Sequence, residues 1–321
     1  MQTPLLSNPL ANQMALPLAI MLPALFGLAA IALLVIQVRR LALAYLGIAT
    51  ALPSTSSKVL WQRYLTWAII APLFTFAALS GPLVVALLCA FLCWQGGREY
   101  AVLTKMTDRK RAVMILGGWA TLASVLIAGP VALAVAPIPI FFGWSLLALP
   151  PAPGKSVEQR FTGAMAGLWG SFYIGWLPAY LVLLSASKAP GLLLVVGLGV
   201  ALSDVGAFCT GKALGGPKLA PALSPNKTWG GVLGNFLGAA LAVALASAAI
   251  PGLGFWQRGL IALAIGIGSI WGDLLESLLK RQGGVKDAGR LLPGFGGLLD
   301  RIDSLLMAAP LVYGLSLLLV R

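Results

Sequence analysis

The sequence predicts an all-α, polytopic integral membrane protein with about ten transmembrane helices, within a range of about eight to ten, and three observations carry that expectation. Hydrophobic residues make up 59% of the 321 and charged residues only 10%, with a mean hydropathy of +0.93. Apolar runs of about 18 residues or more recur, and a chain of this size cannot bury so much apolar surface in a water-soluble core. The few charges are concentrated in loops between those runs.

Taken in order, the apolar runs place spans at 14–38, 65–79, 82–96, 112–128, 131–149, 162–186, 190–211, 229–250, 255–279 and 303–320. The first, Met14 to Val38, lacks a basic leading region and an Ala-x-Ala-like site, so it is expected as a retained span and not a cleaved signal. Residues 65–96 form either one long helix or a tight hairpin broken at Ser80-Gly81-Pro82, and the charges favour the hairpin. With it, loops 39–64, 97–111, 150–161, 212–228 and 280–302 share one side and carry 19 of the 22 Lys and Arg, leaving Lys188, Arg258 and Arg321 opposite. Cytoplasmic loops retain Lys and Arg, so the five charged loops are expected in the cytoplasm, both termini on the other side, and the chain in the inner (cytoplasmic) membrane. The hairpin halves are shorter than about 20 residues, which predicts tilt, a thinned bilayer or incomplete crossing. The expected organisation is an amino-terminal span and loop (1–64), amino-terminal membrane helices (65–189) and a carboxy-terminal catalytic membrane region (190–321).

The net charge of +13 follows from positive loops, which orient a membrane protein and attract anionic head groups. Nucleic acid is excluded as a partner, since no basic helix with interleaved aromatics and no known module is present. Cys89, Cys93 and Cys209 sit in apolar runs with neither disulfide nor zinc spacing. Gly206 to Lys212 spells Gly-x4-Gly-Lys, but Ala213 stands where a P-loop needs Ser or Thr, and no strand precedes it. Gly230, Gly234 and Gly238 recur every fourth residue, the pattern of close helix packing.

The acids are more telling. Glu99, Asp108 and Glu158 lie in basic loops, where a solvated or ion-paired role is expected. The other six fall in the last third, and Asp204 and Asp273 lie inside predicted helices, where a carboxylate is costly and marks a functional site by default. Glu276 divides evenly between function and an i,i+4 ion pair with Lys280. Asp273, Ser277 and Lys280 form one stripe at i, i+4 and i+7, and Asp300 and Asp303 are i,i+3 neighbours at the start of the last helix. Hard oxygen ligands with no His or thiolate suit magnesium. Lys280, Arg281, Lys286, Arg290 and Arg301 supply cations for a polyphosphate, and the Pro293-to-Gly297 turn is expected to offer backbone N–H groups to an anion. The polar loop Lys212 to Trp229, with Ser224 and Lys227, is expected to touch phosphate or nucleotide.

These residues resemble a known family. Ser277-x-x-Lys280-Arg281, Lys286-Asp287 and Pro293-Gly294-x-Gly296-Gly297-x-x-Asp300-Arg301-x-Asp303 are similar to the signature of phosphatidate cytidylyltransferases, also called CDP-diacylglycerol synthases. Ser203-Asp204-x-Gly206-Ala207-Phe208 and Lys218 to Pro221 with Ser224-Pro225-x-Lys227-Thr228-Trp229 extend the likeness over about 200–305, and Arg98-Glu99-Tyr100 carries it weakly upstream. One position departs: Phe295 stands where the family pattern has His, and the chain has no His at all.

The resemblance implies transfer of a cytidylyl group from CTP to phosphatidate, giving CDP-diacylglycerol and pyrophosphate, with Mg2+ as cofactor and the site at the cytoplasmic boundary. It implies Asp273 and Asp300 as metal ligands, sharing one ion, with Asp303, Asp287 and Asp204 as supporting ligands or orienters. Lys280, Arg281, Lys286 and Arg301 would bind phosphates, beside Ser277, and Ser224 and Lys227 would contact nucleotide or lipid phosphate. Membrane lipids are expected partners and a homodimer is left open. The alternatives are a paralogue that activates another lipid phosphate, and a transporter or lipid-binding protein on the same scaffold.

Overall fold

The computed structural model describes residues 4–9, scattered positions between 23 and 38, and 54–151, 154, 156–285, 288, 289, 291–294 and 296–319. The span expected at 14–38 and most of the loop after it lie outside the described residues, as do Lys286, Asp287, Arg290 and Phe295. The described residues hold nine helices: α1 Ser54–Ser80, α2 Pro82–Leu103, α3 Asp108–Val135, α4 Pro137–Ala148, α5 Val157–Ser185, α6 Gly191–Ala213, α7 Trp229–Leu245, α8 Phe255–Gln282 and α9 Leu299–Leu319. Six of them, α1 from Lys58, α3, α5, α6, α8 and α9, are long and apolar enough to cross a membrane. Large apolar side chains face outward, Ile127 at 85% and Phe255 at 81% exposure among them, and such an exterior needs lipid around it. The chain is an all-α membrane protein.

The break at Ser80-Gly81-Pro82 is a true reversal. Gly81 sits at φ 96°, a region that glycine tolerates and L side chains avoid, and Pro82 opens α2 where its missing N–H costs nothing. In one straight helix Arg63 and Glu99 would lie about 54 Å apart. Instead both reach the same loop: Arg63 Nε donates to the Gly294 carbonyl at 2.9 Å and Leu299 N–H donates to Glu99 Oε2 at 2.9 Å. With 27 and 22 residues, α1 and α2 are also longer than the 15-residue halves read from hydropathy, because each continues through the charged stretch at its loop-side end.

Other boundaries differ from expectation. α3 does not end at 128; it continues to Val135 through a kink at Gly129 (φ 62°) and Pro130. The span expected at 131–149 is correspondingly reduced to α4, whose 12 residues extend about 18 Å. The 212–228 loop contains a two-stranded antiparallel ribbon, β1 (Lys218–Ala220) and β2 (Ser224–Thr228), paired Lys218 with Thr228 and Ala220 with Ser224. Thr228 then caps α7 by accepting the Gly231 N–H at 3.2 Å.

Two glycine seams hold the carboxy-terminal helices together. A Cβ on Gly234 would collide with Thr210 and the Gly206 carbonyl, and one on Gly238 with the Leu202 carbonyl, so α6 and α7 approach as closely as the every-fourth-residue pattern predicts. Thr210 Oγ1 donates across this seam to the Gly230 carbonyl at 2.8 Å. On α8, Gly268 faces the backbone of Ala308 and Gly272 faces the carbonyl of Asp303 on α9. The second seam positions the site, because Gly272 precedes Asp273.

Candidate functional site

Close α8–α9 contact at Gly272 brings acids from both helices together. One carboxylate oxygen each of Asp273, Glu276 and Asp303 lies within 4.8 Å of the others. Asp303 and Glu276 are buried, and Asp273 is partly open. Asp204, exposed on α6, lies within electrostatic reach of Asp273, Lys227 and Arg301.

Bases from three elements face these acids. The β1–β2 ribbon leans over α8, so that Lys227 Nζ meets Asp273 Oδ2 at 2.6 Å. Arg281 Nε ties the ribbon down by donating to the Leu223 carbonyl at 3.2 Å. Lys280 Nζ bridges Glu276 Oε2 at 2.6 Å and Asp300 Oδ1 at 3.0 Å. The i,i+4 pair weighed for Glu276 is therefore real, yet it uses only one carboxylate oxygen. Oε1 of Glu276 is buried and meets no donor among the described residues.

Asp300 lies beside this group of three acids and is not one of them. Its carboxylate is engaged by Lys280, by the Gly297 N–H at 2.7 Å and by the Ala288 N–H at 3.1 Å, all onto one buried side chain. The acid grouped with Asp273 and Asp303 is Glu276, because α8 turns Glu276 onto the same side as Asp273 at i,i+3. Of the N–H groups that the Pro293-to-Gly297 turn was expected to present to an anion, those of Gly296 and Gly297 are taken within the protein. Leu292 and Gly296 exchange N–H···O bonds of 2.9 and 3.0 Å, and Gly297 donates to Asp300. The next two N–H groups, of Leu298 and Leu299, donate to Glu99 at 3.0 and 2.9 Å.

Glu99 is the main residue that sequence reasoning missed. Read as a solvated acid of a basic loop, it lies instead on the last turns of α2, 5% exposed, at the amino end of α9. There a carboxylate satisfies helix N–H groups that have no intrahelical partner. Gln95 Nε2 donates to it at 2.9 Å, and Gly289 and Gly297 leave the room it needs, since a Cβ on either would clash with it. The motif fragment Arg98-Glu99-Tyr100 was the only signal, and periodicity could not have shown a contact that spans 200 positions. Ser277 is buried and Ser224 half-buried, on α8 and β2, while Lys286 and Asp287 lie outside the described residues.

The donor set fits a hard divalent cation. Among the described residues, Asp273, Glu276 and Asp303 gather their carboxylates in one place, with Asp300 held beside Glu276 by Lys280, and Glu276 and Asp303 are buried. Uncompensated buried charge is strongly unfavourable, and an orphan Glu276 oxygen beside two further carboxylates is what an oxygen-seeking ion would complete.

Comparison with known proteins gives the family. Residues 61–319 match the family model described as the cytidylyltransferase family. The phosphatidate cytidylyltransferase of Brucella suis biovar 1 (strain 1330) is 48% identical over 149 residues, 45% of this chain and 54% of the relative. That of Mycobacterium leprae (strain TN) is 34% identical over 152 residues, 46% of this chain and 49% of the relative. Uncharacterized protein YnbB of Escherichia coli (strain K12) is 37% identical over 161 residues, 49% of this chain and 53% of the relative. The chain thus spans about half the length of the curated relatives it matches.

Proposed function

Since this chain belongs to the cytidylyltransferase family, we propose that it transfers a cytidylyl group from CTP to phosphatidate, giving CDP-diacylglycerol and pyrophosphate for phospholipid synthesis. The observation that carries the reading is the cluster of Asp273, Glu276 and Asp303, with Lys227 on Asp273 and Lys280 on Glu276.

The attacking group is an oxygen of the lipid phosphate monoester. Its second pKa is about 6, so it is largely ionised at neutral pH and needs no strong base. That oxygen forms a bond to the α-phosphorus of CTP, the bond from this phosphorus to the bridging oxygen of the β-phosphate breaks, and pyrophosphate departs with the electron pair. The obstacle is repulsion between a dianion and a polyphosphate, and fixed positive charge removes it. Lys227, on the ribbon and paired with Asp273, would turn its ammonium to a phosphate oxygen when a cation takes Asp273. Lys280, held by Glu276 and Asp300, presents a fixed charge, and Arg301 offers a planar fork to phosphate oxygens. Asp300 and Glu99 act through the backbone: they hold the 297–299 turn and so fix where α9 delivers Asp303 and Arg301. Asp273, Glu276 and Asp303 would hold Mg2+, with Asp204 nearby; when bound, it supplies charge neutralisation and orientation of phosphate oxygens.

CTP is water-soluble and phosphatidate is anchored in the bilayer, so the reading sets the site at the cytoplasmic boundary of the inner membrane, with ten spans and the five basic loops inside. Lipids surround it, and a homodimer is compatible with it. The second reading, a paralogue that activates a different lipid phosphate, is favoured by one observation, Phe295 in place of the family's His. Purified protein incubated with labelled CTP, magnesium and a panel of lipid phosphates tests both. Label in CDP-diacylglycerol supports the first, label only in another CDP-lipid the second, and no labelled lipid from any member of the panel counts against cytidylyl transfer.

A further inference from the structure

Tyr173 carries a buried hydroxyl that no described residue satisfies. The side chain is 2% exposed, and its oxygen has no hydrogen-bond partner among the described residues. Buried polar groups are nearly always paired, so an orphan of this kind points to a molecule that completes it. Its surroundings say which kind. Tyr173 belongs to one buried cluster with Leu279 of α8 and Leu299 and Ile302 of α9, the two helices that carry the acids, and the charges of Asp303, Glu276, Asp273 and Asp300 reach its phenol.

The backbone that delivers it is unusual in the same place. Within α5, Ser171–Trp176 is π-helical, with Leu177 N–H donating five residues back to the Phe172 carbonyl at 2.9 Å. A π turn inserts one residue into a helix, re-aims the side chains it carries, and is frequent at functional sites. Two bonds pin this turn on either side of Tyr173: Trp144 Nε1 to Ser171 Oγ at 2.8 Å and Trp176 Nε1 to the Leu133 carbonyl at 2.9 Å.

A carboxylate only accepts, and a phenol in contact with one would donate to it directly; here no such bond forms. A phosphate oxygen is repelled from three carboxylates unless a cation lies between. The species that can sit beside the cluster and still accept from a phenol is an oxygen already bound to a cation. We propose that Tyr173 is a ligand-contact residue of this site, its hydroxyl donating to an oxygen ligand, water or substrate phosphate, of the divalent cation held by Asp273, Glu276 and Asp303. The proposal rests on the cation-assisted reading given above.

Mn2+ as a spin probe tests it on the full chain in detergent, comparing wild type with Tyr173→Phe in three titrations: Mn2+ alone, with CTP, and with phosphatidate. A weakening of about fivefold or more, the usual scale of one hydrogen bond, is expected in at least one of them. A loss with Mn2+ alone assigns the oxygen to water; a loss only with CTP or only with phosphatidate assigns it to that phosphate. Titrations all within twofold of wild type overturn the proposal, even if turnover falls, since a packing role alone lowers turnover without touching cation affinity. Should Tyr173→Phe fail to extract as a single species, 3,5-difluorotyrosine at position 173 keeps the shape while making the hydroxyl a stronger donor. Tightened Mn2+ binding in one titration is then expected, and unchanged binding overturns the proposal. A wild type that binds Mn2+ but forms no CDP-lipid defeats the cytidylyl-transfer reading while these titrations still decide Tyr173.

Discussion

Glu99 accepts the backbone N–H of Leu299 at 2.9 Å, and this one bond couples the amino-terminal half of the chain to the first turn of the helix that carries Asp300, Arg301 and Asp303. A loop rich in glycine, with Gly294 at φ 77° and Gly296 at φ 91°, has little conformational preference of its own, so its shape must come from what it touches. Glu99 and Asp300 supply that from within, with Arg63 and Thr66 of α1 holding the Gly294 and Pro293 carbonyls from outside.

Glu99→Gln tests the coupling. It keeps the size, but the amide presents an NH2 group where Leu298 or Leu299 needs an acceptor. Loss of a charge-assisted bond with a buried donor left over costs about 1–3 kcal/mol, which is expected as a lower unfolding temperature together with a drop of about tenfold or more in turnover. Glu99→Ala, with both N–H groups unmet, should be worse than Glu99→Gln. Thermal denaturation unchanged in Glu99→Gln would contradict the assigned role.

Lys227 and Asp273 should separate by sign. Asp273→Asn removes a proposed cation ligand and should weaken Mn2+ binding by about tenfold or more. Lys227→Met removes the ammonium that occupies Asp273, so Mn2+ binding should hold or tighten, while kcat/KM for CTP falls by about a hundredfold because a phosphate contact is lost. Parallel losses of cation affinity in both variants would show that Lys227 only props up the fold.

Gly272→Ala should be disproportionately harmful for one methyl group. Its Cβ would drive into the Asp303 carbonyl, and prying α8 from α9 costs about 1–3 kcal/mol and misplaces the acid cluster. Gly259→Ala, in the same helix with open space around it, serves as the control that leaves both stability and activity intact.

The fold class was legible because composition alone demands lipid, and the α1–α2 reversal because charge alternation demands it. The glycine seam of α6 and α7 was legible from its spacing. The β1–β2 ribbon was not: three- and five-residue strands rich in Lys, Pro, Asn and Ser carry no period, and their pairing is set by the turn and by α8 beneath. Asp204 and Asp273 stood out in the sequence because an acid inside an apolar run is conspicuous, and Asp303 because it opens the last helix beside Asp300. The engagement of Asp300 and the grouping of Glu276 with Asp273 and Asp303 were not legible, because motif position does not reveal which carboxylate a lysine and two backbone N–H groups hold. The role of Glu99 was not legible for the opposite reason, since the partners it anchors on α9 are backbone N–H groups that no side-chain pattern records.

Phe295, where the family pattern that the sequence resembles has His, gives a further prediction. A family His replaced by a side chain without charge or hydrogen bond removes one polar contact, and such losses cost on the order of a hundredfold to a thousandfold in rate. Phe295→His is expected to raise turnover with CTP and phosphatidate. A fall in turnover would mean that the pocket has been reshaped around the phenyl ring for a different substrate.

Topology can be checked independently by single-cysteine labelling in a variant without Cys89, Cys93 and Cys209. Positions in 97–111 and 280–302 should react from the same side, since Glu99 and Leu299 touch. Opposite accessibility would break the ten-span arrangement.

The most direct test of the central claim uses CTP labelled separately at the α- and γ-phosphates, supplied with magnesium and phosphatidate to the purified chain. The account predicts α-label in CDP-diacylglycerol and γ-label in pyrophosphate, in equal amounts, with neither formed by Asp273→Asn. Label from the γ-phosphate entering lipid, or no lipid label in an assay where an established phosphatidate cytidylyltransferase succeeds, would contradict it.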